Sequence, residues 1–528
     1  MTVRCGSWTW LLALALLQTA TALPWHGDAG RWLTSLAQPS PDLVCLLVAV
    51  LAGTAAGWPR SSAWTAGLLL WIAALLRPFV ELFPQVFQRP FELADLLQIP
   101  GLLHLLMANA PLWQQVVVVV AVVAIWPLLA LAFVRVARMA RSPRVDRRVL
   151  FGSQAAVLLG LLLAPLVWQS SILLAVVTHT YLATKLWLDA DRIEAGIRAD
   201  IDAGIGRMVA APLELGGLRG IDVHVLVVES YGAMAWRERP LRPRIEALWQ
   251  ELAGPLRDHG FAGVSGRTHP SITGGGSWLA HQELFTSVAV PDQRTFDRVL
   301  QSRAQALPWV FRKAGWHTVE MMPAMPRHWR EGDAFYGFTE GLVQPDLEYS
   351  GHAYGFGKVP DQVALQQLLE RVVAPAQQPL FVVFVSTSSH SPWSETPPFL
   401  ADWQLNPAAL ARPAIVHPVS WADVPSGSAL VPAYLDSLDY ALRAAIGYVC
   451  RLPRPSLVLL LGDHQPPLAV GDDPDRSREV PVHVLSNRPE LLQAWREMGF
   501  ADGHEPLEAG ASLPMYDLAP RLLRAYSR

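Results

Sequence analysis

Ser456-Leu457-Val458-Leu459-Leu460-Leu461-Gly462-Asp463-His464-Gln465-Pro466-Pro467 is the stretch around which the rest of the chain is arranged. After Ser456 it is wholly apolar up to Gly462, then turns polar and ends in proline. A short apolar run bounded by Gly and Pro reads as a strand buried on both faces of a parallel-type sheet. Such sheets place their chemistry just past the carboxyl ends of the strands. Asp463 and His464 stand there, an oxygen and a nitrogen ligand side by side. Taken alone, the pair is equally well a polar cap on a strand-end turn.

Two other strands finish in the same way. Ile221–Val228 closes on Glu229 and Ser230, and Leu380–Val385 leads through a run of Ser and Thr to His390 and Pro392. Three buried strands that each deliver a metal or phosphate ligand at the carboxyl end form a constellation.

The composition divides the chain. Of 528 residues, 52% are hydrophobic and only 16% charged, and the apolar excess lies before about Trp187. The length exceeds one ordinary domain. A net charge of −3 gives no nucleic-acid footprint. The three cysteines, Cys5, Cys45 and Cys450, make no readable disulfide framework.

Five segments of the first half are long and apolar enough to span a bilayer: Trp8–Trp25, Leu43–Trp58, Ala63–Phe83, Val116–Val134 and Val149–Leu173. The first also resembles a signal peptide, with Arg4 ahead of the apolar core and Ala20-Thr21-Ala22 behind it. The loop after the fourth holds Arg135, Arg138, Arg141, Arg144, Arg147 and Arg148 against Asp146, so it is expected in the cytoplasm, with Arg60 and Arg4 on the same side. An odd number of crossings then puts the C-terminal half outside the cell (inner) membrane, in the periplasm. The division is therefore a five-span transmembrane domain over 1–188, a charged juxtamembrane connector helix over 189–220 that reads as a plain spacer, and an extracytoplasmic catalytic domain over 221–528.

In the second half, Arg242–His259 has helical spacing. The stretch Thr273-Gly274-Gly275-Gly276-Ser277 then feeds an apolar-periodic segment through His281, Glu283 and Thr286, as a glycine loop does when it opens a helix. Such a start exposes backbone N–H groups to an anion. Ser277 there is either an N-cap or a nucleophile. Asp297–Gly315 reads as a helix and Trp316–Met322 as a strand. Pro326–Phe338 reads as a loop rich in Arg, His and aromatics, Pro360–Val373 as a helix, and the Pro-rich excursion to Pro432 as a surface lid. Tyr434–Arg451 reads as a helix, Pro481–Leu485 as a strand, and the remainder as helical.

The order strand-Glu229, glycine loop with Ser277, Arg/His/Trp loop, Ser-x-His390-x-Pro and Gly-Asp463-His464 resembles the lipoteichoic acid synthase and phosphoglycerol transferase group of the alkaline phosphatase and sulfatase superfamily. The resemblance extends to five spans before an extracytoplasmic domain, and so covers nearly the whole chain. It implies an α-helical membrane domain followed by an α/β domain with a central, mostly parallel sheet. It implies Glu229, Asp463 and His464 as metal ligands, with Ser277 as both ligand and nucleophile where the group usually has Thr. Thr273 is the alternative nucleophile in the loop. It also implies His390, Trp329 and Arg330 as substrate-binding residues, although Arg330 follows Trp329 without the spacer usual in the group.

The chemistry follows from the residue types. A divalent ion held by Glu229, Asp463 and His464 would lower the pKa of the Ser277 hydroxyl, whose oxygen would attack a phosphodiester in line and form a covalent phospho-Ser intermediate. His390 and Arg330 would steady the developing charge. Three oxygens and one nitrogen suit manganese or magnesium and accept zinc. The expected enzyme moves a phosphoglycerol-type head group from a lipid donor to a glycan or lipid acceptor outside the membrane. The competing functions are a sulfatase-like hydrolase or phosphodiesterase and a non-catalytic membrane scaffold with a degenerate site. A common sulfatase needs Cys or Ser in C/S-x-P-x-R. Ser277 is followed by Trp-Leu-Ala-His, and Cys450-Arg-Leu-Pro-Arg has its Pro one position late.

Overall fold

A computed structural model describes residues 190–527 apart from 211–213, 392, 406–407, 420–429, 469–476 and 507–509, together with Pro127 and Leu131 in the first half. The five expected spans, the Arg-rich loop and the signal-peptide alternative lie outside the described residues. Among the described residues no helix is long and apolar enough to cross a membrane.

The second half is built on a nine-stranded sheet. Its strands are β1 (Asp222–Val228), β2 (Ala262–His269), β3 (His317–Met322), β4 (Glu340–Val343), β5 (Leu380–Val385), β8 (Ser456–Gly462), β9 (Val480–Ser486), β10 (Ala501–Asp502) and β11 (Ser512–Pro514). A separate two-stranded hairpin pairs β6 (Glu395–Thr396) with β7 (Ile415–Val416). The spatial order in the large sheet is β10-β2-β9-β8-β1-β5-β3-β4, with β11 beside β2. Strands β8, β1, β5, β3 and β4 run parallel; β9 is antiparallel to both β8 and β2. The sheet is thus mixed with a parallel centre. The opening stretch is β8, buried along its whole length between β1 and β9.

Side chains alternate between the two faces of a strand, and the core follows that period. Leu226, Val382, Phe384, Val458 and Leu460 face one apolar cluster, under helices Arg242–Asp258, Asp361–Leu368 and Val431–Val449. Val225, Val227, Val383, Leu459 and Leu461 face the other, under Ser277–Thr286, Leu307–Lys313 and Leu518–Ala525. Helices on both faces explain why the central strands are apolar throughout rather than alternating with polar residues.

Several local expectations need correction. The helix expected over Asp297–Gly315 is two helices, Gln293–Leu300 and Leu307–Lys313. Pro308 sits in the first turn of the second, where a proline begins a helix rather than continuing one. The loop Pro326–Phe338 winds into a helix at Arg330–Tyr336, ended by Gly337 at φ +76°. Strand β2 and the short strands β10 and β11 were not expected; the last two fall in a tail read as helical. The Pro-rich excursion is anchored by Trp393, Trp403 and Leu410 in the core, which a bare lid would not be. The connector forms helix Ala190–Val209 and contributes Ile197, Ile201 and Met208 to the second cluster, with Arg207 hydrogen-bonded to Ser287. It packs as part of the domain that follows, unlike a spacer.

Candidate metal centre

Parallel strands share one carboxyl edge, so the segments after β1, β5, β8 and β3 all emerge on the same side of the sheet. The register pairs Val228 with Gly462, which sets Glu229 and Asp463 next to each other. Gly462 permits this approach: a Cβ there would stand 1.9 Å from the Tyr231 carbonyl oxygen. No residue but glycine fits.

Glu229, Asp463 and His464 are buried, and one ligand atom from each lies within 4.8 Å of the others. His464 Nε2 is 3.4 Å from Glu229 Oε1 and 3.6 Å from Asp463 Oδ2. Ser277 joins them from across the edge. Its Oγ donates to Glu229 Oε2 at 3.0 Å and lies 3.1 Å from His464 Nε2. Ser277 is not an N-cap. Gly276 holds that position at φ +79°, after Gly274 and Gly275, which also have positive φ. Only glycine takes such angles cheaply, so the triple glycine turns the chain to aim the Ser277 hydroxyl at the carboxylates. Thr273, four residues earlier, makes no hydrogen bond among the described residues.

Surrounding contacts hold the ligands. Asp463 Oδ1 accepts from the backbone N–H of Ser230 at 2.9 Å and of His464 at 2.8 Å. Its other oxygen, Oδ2, is buried with no partner among the described residues. His464 Nδ1 bonds the Gln465 carbonyl at 2.8 Å. A ring nitrogen facing a carbonyl carries a hydrogen, so Nε2 is the nitrogen turned toward the cluster and the one that would offer a lone pair to an ion. Ser230 is held at φ +58°, with its carbonyl bonded by Tyr434 Oη at 2.9 Å and its Oγ donating to Glu229 Oε1 at 2.9 Å. Strain of this kind persists where neighbours over-determine it.

The electrostatics are those of a cation site. Burial, with the charge of Glu229, pushes Asp463 up to about 6. Burial alone would lower His464, but the charges of Asp463 and Glu229 outweigh it and hold the imidazole above its ordinary value. Two carboxylates, one with an oxygen that has no hydrogen-bond partner among the described residues, and an imidazole nitrogen, withdrawn together from water, fit a divalent ion.

Of the residues expected to bind substrate, His390 belongs to the loop after β5. Its ring stacks on Phe356 at 3.9 Å between centroids, Nδ1 bonds the Ser391 carbonyl at 2.7 Å, and burial pushes its pKa down to about 4. Asp463 and His464 are close enough to influence that titration. Trp329 and Arg330 follow β3, two strands from β1. Trp329 is half-buried and stacks on Phe296, while Arg330 is exposed; neither touches Ser277 or its three partners among the described residues.

Sequence reasoning passed over residues that matter here. Ser386 and Ser389 grip the main chain of Glu229, accepting from its N–H at 3.1 Å and donating to its carbonyl at 2.6 Å. His281 stands one helical turn after Ser277; its Nε2 is buried without a partner among the described residues, and its titration is influenced by Asp463 and His464. The signal available for His281 was its i, i+4 spacing from Ser277.

No protein-family profile matches the chain, and no curated protein does. Solved structures do. The integral membrane protein lipooligosaccharide phosphoethanolamine transferase A (EptA) from Neisseria meningitidis is 15% identical, over 99% of this chain and 95% of that one, at a TM-score of 0.49. The Streptococcus pyogenes phosphoglycerol transferase GacH, in complex with sn-glycerol-1-phosphate, is 14% identical over 56% of this chain and 75% of that one, at 0.36. The lipoteichoic acid synthase LtaP from Listeria monocytogenes is 14% identical over 58% and 73%, at 0.39. The neighbours thus include a lipoteichoic acid synthase and a phosphoglycerol transferase, the group that the motif order resembles.

Proposed function

We propose that this protein is a metal-dependent phosphotransferase of the membrane, with Ser277 as nucleophile, that moves a phosphoglycerol-type head group from a lipid donor to an acceptor outside the membrane. One observation carries the reading. The Ser277 hydroxyl lies 3.0 Å from Glu229 Oε2 and 3.1 Å from His464 Nε2, two members of the buried cluster that Asp463 completes. A serine that served only to begin a helix would have no reason to face a buried carboxylate and an imidazole.

Glu229, Asp463, His464 and Ser277 would hold one divalent ion. Bound there, the ion supplies positive charge that lowers the hydroxyl's pKa and offsets charge on the phosphoryl oxygens. Glu229 Oε2 already accepts the Ser277 hydrogen bond and is placed to take up the proton. The Ser277 oxygen attacks phosphorus in line, the bond to the lipid oxygen breaks, and diacylglycerol leaves with a proton. The head group remains as a phosphodiester on Ser277. An acceptor hydroxyl, on a glycan or a lipid, then attacks the same phosphorus and restores the serine. His390, from the adjoining loop after β5, would meet the phosphoryl group, and the exposed Arg330, at the start of the helix after β3, would meet the head group farther out.

Incubation of the purified full-length protein with head-group-labelled phosphatidylglycerol, with and without a divalent metal, tests the reading. Metal-dependent release of diacylglycerol with label on Ser277 or on an acceptor is expected. Release of free glycerol phosphate alone would make the protein a phosphodiesterase, and no release would remove the catalytic reading.

A further inference from the structure

Asp361 lies outside the ligand cluster, yet it is 0% exposed. It is the first residue of helix Asp361–Leu368 but does not cap it. Its carboxylate is spent on another segment. Oδ1 accepts from Thr387 N at 2.8 Å and from Thr387 Oγ1 at 3.3 Å, and Ser388 N lies 3.3 Å from Oδ1 and 3.2 Å from Oδ2. In return Asp361 N donates to Ser388 Oγ at 3.1 Å. Burial pushes this carboxyl up to about 6, so at neutral pH it is ionised and accepts only, as these converging donors require.

Thr387 and Ser388 are the middle of the loop whose other residues grip the site. Ser386 and Ser389 hold the Glu229 main chain, and His390 follows directly. A second contact presses the loop from the turn before Asp361. A Cβ on Gly357 would stand 2.2 Å from Thr387 Oγ1. The loop is therefore held by a buried carboxylate, with Gly357 close against Thr387, and its flanking serines bond the Glu229 main chain.

We propose that Asp361 is a positioning residue: through Thr387 and Ser388 it fixes the loop that holds the Glu229 main chain and carries His390. The catalytic consequence rests on the transferase reading; the mechanical coupling does not.

The test uses full-length protein in detergent and two variants, Asp361→Asn and Gly357→Ala. Asn replaces one acceptor oxygen with an N–H₂ that faces the Ser388 N–H, and the alanine pushes Thr387 from the other side. Amide exchange followed by mass spectrometry should accelerate about tenfold both in 386–391 and in the segment that contains Glu229, with the rest of the domain unchanged. Acceleration confined to 386–391 overturns the proposal. Metal-dependent cleavage of bis(p-nitrophenyl) phosphate should fall about tenfold in Asp361→Asn, in the range seen when groups that orient ligands are lost. In a His390→Ala background the same substitution should cost no more than about threefold, since both act through one loop. Fully additive losses would also overturn it. A wild-type protein that cleaves nothing counts against the proposed function, while amide exchange still decides the role of Asp361. Should Asp361→Asn fail to fold, Gly357→Ala carries the same readouts.

Discussion

Ser277 and Thr273 are four residues apart in one loop, yet their hydroxyls meet different surroundings. Only Ser277 reaches Glu229 and His464. Ser277→Ala should therefore lower turnover by about three orders of magnitude or more. Stability should fall by about 1–3 kcal/mol, because the buried Glu229 carboxylate loses a hydrogen bond. Ser277→Thr should keep part of the activity, and Thr273→Ala most of it. Phosphopeptide mapping after incubation with donor lipid checks the assignment: phosphate on Thr273 would move the nucleophile. The ligands make a separate prediction. Glu229→Ala and Asp463→Ala each remove a buried, charged oxygen, so elemental analysis of the purified variants should find the divalent metal lost. Full metal occupancy in both would reduce these strand ends to structural caps. Glu229, Asp463 and His464 were legible in the sequence because each follows a run too apolar to be anything but a buried strand. Asp361 was not, because nothing local marks it; its partners come from the loop after β5, and His281 carried only its helical spacing from Ser277.

At the scale of elements, period and breaker residues carried most of the reading. Strands β1, β5 and β8, and helices Arg242–Asp258 and Val431–Val449, have patterns that tertiary contacts reinforce. Strand β2, with sequence Ala-Gly-Val-Ser-Gly-Arg-Thr-His, has no apolar run. It is a strand because β9 pairs it along its length and β10 and β11 share its other edge, and such pairing leaves no local trace. Helix Arg330–Tyr336 was hidden by the Pro, Gly and aromatic residues around it. Its Asp333 lies near Glu320 on β3. Burial, then hydrogen bonding and charge from Asp333, pushes Glu320 from its ordinary 4.5 up to about 8. The folded protein thus keeps a proton that the unfolded chain has lost over that interval. The stability this neutral group contributes is full below about pH 4.5 and drains away as pH rises to about 8. Glu320→Gln keeps a donor for Asp333 and needs no proton. Thermal unfolding across this range should show the wild type losing up to about 5 kcal/mol that the variant retains. Equal slopes for the two proteins would mean that Glu320 does not hold the proton.

At the scale of the whole molecule, the chain pairs an apolar first half with a second half folded on one sheet. The expected topology is tested directly: reporter fusions at Arg141 and at Arg528 should read opposite sides of the membrane. A shared side would rule out five crossings. The parallel centre of the sheet was legible from three strand runs, whereas the antiparallel β9 that makes the sheet mixed was not, since strand direction is a property of the connection rather than of the residues. One feature of the edge reaches further than its geometry. Asp463 is fastened by two backbone amides, and Gly462 lets the turn after β1 come against the end of β8 at Tyr231. The carboxylates are thus oriented by the fold and do not depend on an ion to gather them. Loading should then proceed without an ordering step, limited by how fast the incoming cation sheds water. The gain in melting temperature should follow simple mass action, rising with the logarithm of free metal concentration above the dissociation constant.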